Sequence, residues 1–247
     1  MKKRILIIGQ PNDRISQVIS RLLEEGHEVI VASNEQSATS AKFMKVELNS
    51  FVSIKSFLKK FNQNYAYLDI LFFQEHLISD KDVLTVDGYE EMMAVNYLAA
   101  VMITEGLKVS LKTEEHARII YVNSTLSFKG NLRDMETFNS GMNGYADSLR
   151  ALLLYTFYTS SKLKDDHVTV NMINDSIEKK GFINKLFQKS HDVYTSEDAY
   201  YLIMSDELRY KTSKLFNGQS VMAIPQERVS KKDIQHWMME TKKIIGF

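Results

Sequence analysis

The chain of 247 residues contains no cysteine, which removes disulfide scaffolds, thiolate metal sites and cysteine nucleophiles together and makes a cytoplasmic setting the expectation. Charge of one sign is lacking as well. The 31 Lys and Arg balance 31 Asp and Glu, so no net field draws the chain to nucleic acid, and no local basic run marks a binding stripe. Long hydrophobic runs are missing: read along the sequence, no stretch approaches the roughly 18 apolar residues of a membrane span, and a soluble protein without membrane attachment is expected. The basic start Met-Lys-Lys-Arg looks like the head of an export signal. However, the apolar run Ile5 to Ile8 stops at Gly9, too soon for one, and reads as a first strand. No linker, low-complexity tract or internal repeat divides the chain.

What is present is ordinary globular material: 44% apolar and 25% charged residues, enough for the core of one large α/β domain over 1–247. Strand-like apolar runs at Arg4 to Ile8, His27 to Ala32, Met44 to Leu48, Leu68 to Phe73, Ala117 to Val122, Val168 to Ile173 and Lys214 to Ile224 alternate with helix-length amphipathic segments. The helices are expected at Ile15 to Gly26, Phe51 to Phe61, Tyr89 to Leu111, Tyr145 to Lys162, Ser196 to Met204 and Lys231 to Ile244. Continuous apolar strands separated by helices predict a parallel sheet covered on both faces, a doubly wound Rossmann-like α/β fold. In the last helix Ile234, Trp237, Met238 and Ile245 form an apolar stripe expected to pack on the chain's own core.

Several strings carry a resemblance. Asp87-Gly-Tyr-Glu-Glu-Met-Met-Ala-Val-Asn96-Tyr-Leu, Ala117-Arg-Ile-Ile-Tyr-Val-Asn-Ser124 and Leu68-Asp-Ile-Leu71, in this order and with a long segment between Ser124 and Tyr145, resemble the short-chain dehydrogenase/reductase family and its retinol-dehydrogenase-like branch. The resemblance implies NAD(P) as cofactor. It also implies a site in which Ser124 polarises the substrate oxygen, Tyr145 transfers the proton and Asn96 anchors a water relay behind them. The lysine of that family falls on Leu149.

That replacement matters because a phenol with a pKa near about 10 is a poor base at neutral pH unless a cation stabilises the phenolate. The lysine would supply the cation from position i+4, one helical turn away. Leu149 supplies none, and Arg150 is turned roughly 140° around the helix. Loss of a positioned acid/base group lowers a rate by on the order of 10² to 10⁴.

The loop after the first strand departs in the same direction. In Gly9-Gln-Pro-Asn-Asp-Arg-Ile15 one glycine remains where such folds use several to admit a pyrophosphate at a helix N-terminus. Pro11 removes an N–H donor and Asp13 adds a carboxylate. Asn12 and Asp13 read as a helix N-cap, while Arg14 offers a guanidinium that can bind phosphate without glycines. The second strand ends at Ser33-Asn34, with neither an acidic nor a basic residue to select NAD or NADP. Glu47 stands where the family has an aspartate near the adenine. Gly9, Arg14, Ser33 and Glu47 are thus the positions left to touch a dinucleotide. Phe73-Gln-Glu-His76 puts bulk after the fourth strand, and Asp175-Ser176 replaces a Pro-Gly. Glu75 and His76 are neighbours that point opposite ways in extended chain, and His76 is expected to be a solvated loop residue. The histidines at 27, 116, 167, 191 and 236 show no metal-ligand spacing, so no metal is expected.

The expectation is therefore a short-chain dehydrogenase/reductase-like protein that works through binding without bound cofactor, as a non-catalytic partner subunit or a small-molecule-binding protein. The alternative is an NAD(P)-dependent oxidoreductase acting on a carbonyl or alcohol through Tyr145 and Ser124. The helix over 145–162 is apolar nearly all round, and the resemblance places subunit contacts on it and on the helix over 89–111. A homo-oligomer, or a hetero-oligomer with a relative, is expected there.

Overall fold

A computed structural model describes residues 1–111, 116–132, 139–175 and 193–246. Its strands are Arg4–Ile8 (β1), Glu28–Ser33 (β2), Lys42–Lys45 (β3), Ile70–Phe73 (β4), Ala117–Asn123 (β5), Val168–Asn174 (β6), Leu215–Asn217 (β7) and Ser220–Met222 (β8). They form one sheet in the order β3-β2-β1-β4-β5-β6-β7-β8, parallel except for the β7–β8 hairpin. The helices are Asp13–Glu24 (α1), Phe51–Asn64 (α2), Glu91–Met93 (α3), Ala99–Leu111 (α4), Gly141–Lys162 (α5), Ser196–Met204 (α6) and Lys231–Ile245 (α7).

The doubly wound reading holds, and the side-chain alternation of the strands explains it. Ile5, Ile7, Val29, Val31, Ile70 and Phe72 face α1 and α6, where Ile15, Ile19, Leu202 and Ile203 complete one core. Their neighbours Leu6, Ile8, Ile30, Leu71 and Phe73 face the opposite layer with Phe57, Leu107, Leu153 and Trp237. Both faces of the strands are buried, which is why the runs are continuously apolar.

Two strand expectations shift. The third strand pairs over Lys42–Lys45, not Met44 to Leu48; Val46 and Leu48 are buried, but they follow the paired segment. The single strand expected over Lys214 to Ile224 is a hairpin that reverses at Gly218, whose φ of +59° suits glycine. The expected helix Tyr89 to Leu111 starts at Glu91 and contains a π turn at Ala94–Leu98 between α3 and α4. By length and composition the segment Glu91–Leu111 can cross a membrane, contrary to the sequence reading, but 78% of its apolar window is buried in the fold, as in a core helix.

The C-terminal helix settles where the apolar surface of α5 goes. Trp237 and Met238 are buried, with Ile234 and Ile245 packed against the same core. Helix α7 lies on α5; the Tyr97 and Thr241 hydroxyls meet at 2.5 Å, and Arg150 faces Asp233 at 3.6 Å. Arg150 is therefore directed at α7, on a different side of α5 from Tyr145.

Candidate functional site

Two groups of residues gather at the carboxyl ends of the strands. The first surrounds Tyr145. Asn96 sits in the π turn, an irregularity common at functional sites. Its amide is fully engaged: Oδ1 accepts from the Leu77 amide at 2.5 Å, while Nδ2 donates to the Leu77 carbonyl at 2.9 Å and to Ser148 Oγ at 3.0 Å. Ser148 in turn donates to the Tyr145 carbonyl at 2.8 Å. Ser124 follows β5, is buried, and caps the short turn Thr125–Phe128 by accepting from the Leu126 amide at 3.3 Å. Asn123 beside it donates to the Leu149 carbonyl at 3.2 Å. Asn96 is thus linked through Ser148 to the Tyr145 backbone, and Ser124 caps the turn whose Leu126 packs against the Tyr145 cluster.

The surroundings of Tyr145 are apolar. Its ring is 1% exposed and clusters with Met92 and Leu149, with Leu77 and Leu126 against them. Burial first, and the nearby Asp175 carboxylate second, hold its phenol well above the ordinary tyrosine pKa. A tyrosine that accepts a proton as a base near neutral pH needs the opposite shift. His76 is not the solvated loop residue expected from its sequence. It is partly buried, its ring lies 6.0 Å from that of Tyr145, and its Nδ1 is enclosed without a hydrogen-bond partner.

The second group lines a cleft of about 740 Å³ beside β1, β2, β3 and β4, bounded by Gly9, Ser33, Glu35, Glu47, Glu75 and Glu91 among others. Gly9, Ser33 and Glu47 meet there; Arg14 does not line it. Ser33 Oγ donates to the Glu35 carbonyl at 2.6 Å, and Glu47 pairs with Lys45 at 3.2 Å. Asn12 caps α1 by accepting from the Ile15 amide at 3.1 Å, as its residue type predicts. Arg14 is turned toward β6: its two terminal nitrogens each reach Asp175 at 3.2 Å, one also donates to the Tyr194 carbonyl at 2.7 Å, and the guanidinium lies 4.3 Å over the Tyr194 ring. Ser176 lies outside the described residues, as does His191.

The residue missed in the sequence is Glu75. Its Oε2 accepts from the Gln10 amide at 2.9 Å. The register Ile8↔Phe73 makes the loops after β1 and β4 leave the sheet side by side. Glu75 meets Gln10 while His76 lies beside Tyr145, and nothing in the sequence states that β4 lies beside β1. Among the described residues no group of three or more His, Asp or Glu is arranged to hold a metal ion.

Comparison with known proteins identifies the class. The sequence profile described as short chain dehydrogenase matches residues 12–187, and the chain belongs to the short-chain dehydrogenase/reductase family, in its retinol-dehydrogenase-like branch. It is 24% identical over 282 aligned residues to retinol dehydrogenase 13 of Mus musculus, covering 99% of this chain and 84% of that protein. Among solved structures, an uncharacterized protein from Mycobacterium paratuberculosis superposes with a TM-score of 0.78 at 15% identity, covering 99% of this chain and 93% of the other. A short chain dehydrogenase from Leptospira borgpetersenii with bound NAD+ superposes with a TM-score of 0.68 at 17% identity, covering 88% and 92%. At these identities the structures establish the fold alone.

Proposed function

We propose that this chain is a member of the family that binds a small molecule at the carboxyl ends of its strands and does not transfer hydride. One observation carries the reading: Leu149, on the turn where the resemblance requires a lysine, joins Met92 in an apolar cluster around Tyr145. A phenol whose pKa is raised by burial does not act as a base near neutral pH, and no lysine at that turn grips a cofactor ribose. Family membership favours NAD(P) chemistry, and the Leptospira relative binds NAD+. The residues at the phosphate-facing loop of this chain fit a dinucleotide poorly, however, because Arg14 is paired with Asp175 and Pro11 has no N–H to give. Of the two binding roles, the small-molecule one is favoured over the partner subunit. The open cleft offers a site, whereas the apolar face of α5 that prompts the subunit expectation is shared with α7 of the same chain.

The test is a turnover assay of the purified protein with NADH or NADPH and a panel of aldehydes and ketones. No consumption of reduced nicotinamide above background is expected, with Tyr145→Phe indistinguishable from the parent. Turnover that disappears in Tyr145→Phe would instead establish the alternative, an NAD(P)-dependent oxidoreductase working through Tyr145 and Ser124.

A further inference from the structure

The surviving glycine of the first loop is spent on a protein carboxylate. A Cβ built on Gly9 would lie 2.7 Å from both Cβ and Oε2 of Glu75, so the close backbone approach that glycine permits here is made by Glu75. The same Oε2 takes the Gln10 N–H at 2.9 Å. Gly9 gives its own N–H to the Ala32 carbonyl at 2.8 Å, and Ile15 gives its N–H to the Asn12 side chain at 3.1 Å. In folds of this kind the diphosphate of a dinucleotide lies against this loop and the start of α1.

We infer that Glu75, reaching across from the end of β4, occupies the diphosphate position at Gly9–Gln10 and is the residue that excludes dinucleotides from this cleft. The inference rests on the non-hydride reading above and gives it a single determinant. Two features reinforce the exclusion. Glu35, Glu47 and Glu91 also line the cleft, and its one lysine among the lining residues, Lys45, is paired with Glu47 at 3.2 Å. Carboxylates lining one cleft repel a diphosphate wherever it comes within the screening distance of about 8 to 10 Å in ordinary buffers. Arg14, the phosphate-binding candidate of the first loop, does not line the cleft and is forked onto Asp175. A neutral or cationic small molecule meets none of these penalties.

The deciding experiment is calorimetric titration of the parent protein, Glu75→Ala and Glu75→Gln with ADP-ribose and with NADH, after circular dichroism and thermal melts have verified that each variant is folded. The Ala variant frees both the space and the Gln10 N–H. The Gln variant keeps the size of the side chain while removing its charge, so it separates repulsion from occupancy, and Glu75→Ser, which also clears the space, serves if the Ala variant is unstable. The parent is expected to bind neither probe at millimolar concentration, and a folded variant to gain at least about tenfold in affinity for ADP-ribose, roughly one factor of ten in Kd. If the parent binds ADP-ribose as tightly as the variants, or folded variants gain nothing, Glu75 is not the determinant. These outcomes are separable from failure of the functional reading, which requires NADH turnover by the parent.

Discussion

Arg14 illustrates how a single side chain changes meaning between sequence and structure. As a letter it is a phosphate-binding candidate. In the fold it holds Asp175 with two 3.2 Å bonds, reaches the Tyr194 carbonyl and stacks on the Tyr194 ring. Its side chain is 30% exposed and that of Asp175 9%, so the pair is neither a surface bridge nor a fully buried one. Arg14→Met is expected to lower stability by about 1 to 3 kcal/mol, between the two regimes, as measured by urea denaturation. A change within experimental error would show that the fork contributes nothing. Tyr145 and Leu149 are the contrasting case. Their four-residue spacing on one helix face was legible, and Met92 of α3 completes their cluster. The Glu75 contact with Gln10 was not legible, since 65 residues separate the two and only strand order joins them.

At the scale of elements, α7 is what sets this chain's α5 in its environment. The Trp237 ring lies 6.2 Å from that of Tyr97, which in turn meets Tyr155 of α5 edge-on at 6.4 Å. Trp237→Ala removes a large, fully buried side chain and is expected to cost about 3 to 5 kcal/mol in chemical unfolding. A loss below that range would mean that α7 is only loosely laid on the core. The sequence showed the apolar stripe on α7 and the all-round apolarity of α5, but not that each answers the other.

At the scale of the whole molecule, tyrosine dominates the alkaline response. Tyr97, Tyr121, Tyr145, Tyr155 and Tyr194 are buried, and burial is the first cause holding each phenol above its ordinary pKa. A folded-state pKa above the unfolded value means that the unfolded chain releases these protons first. The stability they contribute is complete below about pH 10 and falls as pH rises beyond it. Alkaline titration should therefore show the tyrosinate absorbance of these residues appearing together with loss of the far-ultraviolet dichroism. Stepwise ionisation with the dichroism intact would contradict their burial.

What the sequence by itself determined is the local and the periodic. Continuous apolar runs set β1, β2, β4, β5 and β6 and the helices between them, the order of strings such as Ala117 to Ser124 pointed to the family, and the i+4 spacing put Leu149 one turn from Tyr145. These depend on neighbours within a few residues or on a pattern repeated along one element. The tertiary structure alone decided the pairings between elements remote in sequence: Glu75 on Gly9 and Gln10, Arg14 on Asp175, His76 beside Tyr145, α7 over α5. Each arises where the strand order and the packing of helices place two loop ends or two faces in contact. No local propensity encodes which partner that will be.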